Sequence, residues 1–163
     1  MNIHESVYVA RGASIIGDVT VGADSGIWPC AVLRGDVAPI IVGARTSIQD
    51  GAILHGNPGF TVRVGDDVTI GHGAIVHGCT VDNGSLIGMG AILLDGCHVG
   101  AGCLVAAGAL VPPGMEIPPG MMAVGNPARV KRPTTEAEQE LLAFSAVEYM
   151  ELAEERKRIE GAG

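Results

Sequence analysis

Residues 81–111 read VDNGSLIGMGAILLDGCHVGAGCLVAAGALV, and within them an aliphatic residue returns at every sixth position: Val81, Ile87, Leu93, Val99, Val105 and Val111. Small residues follow four places later, as at Ala91 and Ala109. Six is neither the 3.6-residue period of an amphipathic helix nor the two-residue alternation of an ordinary strand. It is the period of a parallel β-helix, where each hexad supplies a short strand and a turn, and three hexads close one triangular coil. Aliphatic side chains fill the prism and small residues fit its corners. A single hexad cannot bury its apolar side, so the coils must stabilise one another by stacking.

The same beat extends upstream. Val9, Ile15, Val21, Ile27 and Leu33 form one run, answered by Ala13, Val19, Ser25, Ala31 and Val37. It is interrupted at Pro39, resumes at Val42, Ile48 and Leu54, and breaks again at GNPGFT (56–61). Val64, Ile70 and Val76 restore it, and a step of five reaches Val81. The prism is therefore expected over about residues 9–111. Residues 117–133, IPPGMMAVGNPARVKRP, read as an irregular return segment. Thr135 and Glu138 form the T-x-x-E of a helix capping box. Leu141, Leu142, Ser145, Tyr149, Leu152 and Ala153 then make a helical stripe. Residues 1–133 and 134–163 thus read as one domain: an all-β hexapeptide-repeat helix with a C-terminal α-helix packed along it.

Composition narrows the function. The 18 acidic against 10 basic residues leave a net charge of −8, which disfavours nonspecific nucleic-acid binding. Aspartate, histidine and repeated glycine interrupt the apolar stretch 90–112, so no membrane span is expected. The N-terminus shows no basic region followed by an apolar run. Cys30, Cys79, Cys97 and Cys103 make no C-x-x-C pair, and Cys97 and Cys103 fall at different corners of one coil. Buried, reduced thiols and a cytoplasmic location are the expectation. There is no G-x-S-x-G elbow, and the glycines of GAGCLVAAG lie within hexads, where a dinucleotide loop does not form. His98 reads as a surface residue.

The hexad frame sorts the remaining polar residues. Leu33, Leu54 and Val76 should stack in one column, and the residue after an inward one points outward. Arg34, His55 and His77 therefore project from one face on successive coils about 4.8 Å apart. Two imidazoles at that spacing suit a metal ion. His72 lies in another column, above Asp50, so one chain does not bring all three histidines together. A threefold oligomer would, by pairing His55 and His77 of one chain with His72 of the next.

RGD at 34–36, Gln49–Asp50, His55 and the His72/His77 pair together resemble the γ-class carbonic anhydrases. The likeness continues through IGMGAILLDG, VGNPARV and SAVEYMELAEE. It implies a left-handed β-helix, a homotrimer and reversible hydration of carbon dioxide to bicarbonate by a metal-bound hydroxide. The metal would be zinc, alternatively iron or cobalt, held by His55, His72 and His77. The resemblance also assigns roles: Gln49 to the reacting oxygen, Arg34 and Asp36 to a charged pair across the subunit interface, Asp50 to a supporting carboxylate, Tyr149 to a family tyrosine. Val37 and the uncharged GNPGFT stand where archaeal members carry carboxylates, so slow proton removal is expected. A thioesterase or acyltransferase on the same fold, and a noncatalytic metal-binding assembly protein, are the competing readings.

Overall fold

A computed structural model describes residues 1–160. The chain winds into a parallel β-solenoid whose three faces are short strands stacked coil upon coil, with one helix, Glu136–Glu160, laid along the outside. The expected fold class holds. So does the register: Leu33 pairs with Leu54 and Leu54 with Val76, and Val42 pairs with Val64 and Val64 with Val81. Ile27, Ile48, Ile70 and Ile87 form the third column. These residues are fully buried or nearly so and form one continuous core. Its aliphatic packing supplies the hydrophobic stabilisation that each coil lacks alone.

Within the β-region, four features of the strands differ from the sequence reading. The strand Val32–Val42 passes unbroken through Pro39 and turns a corner, which joins two faces into one sheet. Val9 keeps its place opposite Ile27 but is 42% exposed, because its coil closes the end of the prism. The solenoid continues to Glu116–Ile117, and Met121–Gly125 adds one more strand to the third face. Residues 117–133 are therefore ordered: Met121–Gly125 and Ala128–Pro133 form an antiparallel hairpin.

The helix begins as its capping box requires. Thr135 Oγ1 accepts from the Glu138 N–H at 3.2 Å and Glu138 Oε2 accepts from the Thr135 N–H at 2.8 Å. Leu142, Ser145, Ala146 and Ala153 are buried against the third face, whereas Leu141 and Leu152 point outward. The outcome follows from close approach. A Cβ on Gly26 would lie only 3.4 Å from Ala153 Cβ, so small residues set the line of contact. Ser145 bonds Thr69 across it at 3.0 Å. No helix among the described residues is long and apolar enough to cross a membrane.

The four cysteines are free. Cys79, Cys97 and Cys103 are buried at corners, as expected. Cys30 is exposed, because it occupies a left-handed turn (φ 60°) that Gly51 and Gly73 fill on the following coils.

Candidate metal centre

His55 and His77 end the strands Ile53–His55 and Ile75–His77, which pair in parallel with the two histidines directly opposed. Arg34 precedes them in the same column. His55 Nδ1 lies 3.1 Å from His77 Nε2. Two nitrogens bound tetrahedrally to one zinc at 2.0–2.1 Å would be about 3.3 Å apart. The column alone therefore brings two ligand atoms to nearly the spacing that an ion demands.

A carboxylate stands behind each ring. Asp95 Oδ1 accepts from His77 Nδ1 at 2.6 Å, Asp50 Oδ2 lies 3.0 Å from His72 Nδ1, and Asp36 Oδ1 lies 3.3 Å from His55 Nε2. The last approach is poorly aligned, and His55 Nε2 is a buried polar atom without a hydrogen-bond partner. Proton placement explains the orphan. With His77 Nδ1–H donating to Asp95, His77 Nε2 is bare and must take its hydrogen bond from His55 Nδ1–H. With its hydrogen on Nδ1, His55 turns a bare Nε2 towards the carboxylate. A cation bound by His55 Nδ1 and His77 Nε2 would displace that hydrogen to His55 Nε2, where Asp36 accepts it. The residues present fit a metal.

Arg34 Nη1 donates to Asp36 Oδ2 at 2.7 Å within one strand. Residues two apart on a strand share a side, which brings the two together within the chain. The guanidinium holds the Asp36 carboxyl below its ordinary value.

His72 sits on the turn between Thr69–Ile70 and Ile75–His77, stacked on Asp50. It therefore marks one edge of a face and His77 the other, five residues of extended chain away, or up to roughly 17 Å. Among the described residues, no three His, Cys, Asp or Glu side chains of one chain converge to hold an ion. Gln49 is buried, its Oε1 accepting from the His72 backbone N–H at 3.1 Å. The Tyr149 hydroxyl lies 3.4 Å from His72 Nε2, and its ring packs edge-on against Trp28, centroids 5.5 Å apart. Burial raises the Tyr149 pKa, with Glu148 and Asp50 adding to the effect, so the hydroxyl keeps its proton at neutral pH. Leu86, Met89 and Leu104 wall an open recess of about 400 Å³ beside Gln49, His72 and Tyr149.

His98 does lie at the surface, but it bridges Asp82 (2.8 Å) and Glu116 (3.0 Å). Asp95, and Asn57 behind it, went unrecognised in the sequence. Asp95 immediately follows the residue stacked on His77, so the column extended one coil and one position further would have pointed to it.

A parallel β-solenoid built on a six-residue period places the chain among the hexapeptide-repeat proteins. No protein-family model matches the chain. It is 54% identical over 159 residues to gamma carbonic anhydrase 3, mitochondrial, of Arabidopsis thaliana, covering 94% of this chain and 62% of that one. It is 49% identical over 152 residues to the "Probable carbonic anhydrase" of Methanocaldococcus jannaschii, covering 93% and 96%. Among solved structures, the hexapeptide transferase family protein from Anaplasma phagocytophilum superposes with a TM-score of 0.90 at 39% identity, covering 93% of this chain and 90% of that one. The chain belongs to the γ-class carbonic anhydrase family.

Proposed function

We propose that this protein is a carbonic anhydrase, interconverting carbon dioxide and bicarbonate at metal sites shared between neighbouring copies in a homotrimer. The observation that carries the reading is the opposed pair His55 Nδ1 and His77 Nε2, 3.1 Å apart, with Asp36 and Asp95 behind the rings. His55 and His77 of one chain and His72 of the next would hold the ion, zinc in preference, with iron or cobalt suited to the same imidazoles. When bound, such an ion lowers the pKa of a coordinated water to about 7.

The chain's own residues do the rest. Asp50 orients the His72 ring. With Gln49 Oε1 taken by His72 N–H, the Gln49 amide nitrogen remains as a donor for a reacting oxygen. The apolar wall of Leu86, Met89 and Leu104 suits a nonpolar substrate such as carbon dioxide. Arg34 anchors Asp36, and Tyr149 fixes the outer side of His72.

Acyl transfer is the second reading, since the Anaplasma relative of the same fold is described as a hexapeptide transferase family protein. Against it, His55 and His77 face each other nitrogen to nitrogen at 3.1 Å, an arrangement that suits an ion better than a single general base. The deciding experiment is metal analysis of anaerobically purified protein beside a stopped-flow hydration assay. Bound metal with chelator-sensitive hydration is expected. Metal without hydration would overturn the anhydrase reading in favour of a thioester enzyme or a noncatalytic metal-binding assembly.

A further inference from the structure

The loop at residues 56–61 lies beside the metal centre and is fastened to it. Asn57 Nδ2 donates to Asp95 Oδ2 at 2.7 Å, while Asp95 Oδ1 accepts from His77 Nδ1 at 2.6 Å. The loop is itself folded: the Phe60 N–H donates to the Asn57 carbonyl at 2.9 Å. Beneath it, the corner at Gly78 is bare. A Cβ there would stand 2.3 Å from Asp95 Oδ1 and 2.8 Å from Phe60 Cβ, and the backbone φ of +55° already disfavours a side chain. The missing side chain lets the carboxylate lie across the corner with the loop closed over it.

We infer that Asp95 and Asn57 are positioning residues of the metal centre: Asp95 holds His77 in its Nδ1–H tautomer, and Asn57 holds Asp95 in the rotamer that does so. The inference rests on the proposed metal function for its purpose, though not for its geometry. A histidine side chain in water favours the hydrogen on Nε2, which would block the nitrogen that faces His55. A carboxylate at Nδ1 reverses that preference and leaves Nε2 bare before any ion arrives. Loop 56–61, which carries no carboxylate of its own, acts on the centre through one amide.

The test reads the tautomer and the affinity separately. Long-range ¹H–¹⁵N spectra of the chelator-treated protein report which His77 nitrogen carries hydrogen. Competition between the protein and a chromophoric chelator reports zinc and cobalt affinity. Wild type should show His77 as Nδ1–H. Asp95→Ala should shift it towards Nε2–H and weaken zinc about 10–100-fold, and Asn57→Ala should give a smaller change of the same sign. Asp95→Glu, if it reaches Nδ1, should restore the tautomer in part. Thermal unfolding checks each variant, and Asn57→Ala, on the surface loop, stands if Asp95→Ala does not fold. Unchanged tautomer and affinity in both alanine variants would overturn the inference. If no protein binds metal while the tautomer still follows Asp95, the metal function fails and the positioning role survives.

Discussion

The sharpest test of a shared site is complementation between two inactive chains. His55→Ala and His72→Ala each remove one imidazole, on opposite edges of a face, so each homogeneous assembly should lose metal at every site. Suppose the two chains are refolded together in equal amounts. A site takes His55 and His77 from one copy and His72 from the next around a closed ring. The first copy retains His55 in half of cases and the second retains His72 in half, so about a quarter of sites are complete. That fraction holds for any closed ring, and light scattering then decides whether the ring has three members. Zinc per chain and hydration rate should both recover to about a quarter of wild type in the co-refolded sample, and to neither in variants mixed after folding. No recovery, or full metal in His72→Ala alone, would refute the shared site.

Three further outcomes are expected. Leu54, fully buried between Leu33 and Val76, should cost about 2–5 kcal/mol on truncation to alanine; urea unfolding that shows less than 1 kcal/mol would mean that the prism is not close-packed. Val37 is exposed beside Asp36. Proton removal should therefore limit kcat in dilute buffer, imidazole-type buffers should accelerate it, and Val37→Glu should raise kcat more than kcat/KM, with Glu151→Gln as control. For His98, the hydrogen bond to Asp82 foremost, with the charges of Asp82 and Glu116, raises the pKa above 6.5 against a smaller opposing effect of burial. Its contribution is then complete below that value and lost as pH rises through the raised pKa. Wild type and His98→Asn should differ in unfolding midpoint near pH 6 and converge by pH 9; a constant difference would reject the clamp.

What the sequence determined is what the six-residue period controls. In a prism whose coils stack in register, an offset in sequence becomes a position in space, so the buried columns of Leu33, Leu54 and Val76 could be read directly. The outward residues Arg34, His55 and His77 came with them, as did the separation of His72 above Asp50. The capping box of Thr135 and Glu138 was equally plain, because its partners are three residues apart. Where periodicity stops, tertiary structure decided. The outward turn of Leu141 and Leu152 depends on where Gly26 lets Ala153 approach. The hairpin at Met121–Gly125 depends on a sheet edge left open by the coil below. The hold of Asn57 on Asp95 joins residues 38 apart through a loop outside the repeat. Such contacts follow from side chains meeting across aperiodic segments, and no local pattern encodes which ones will meet.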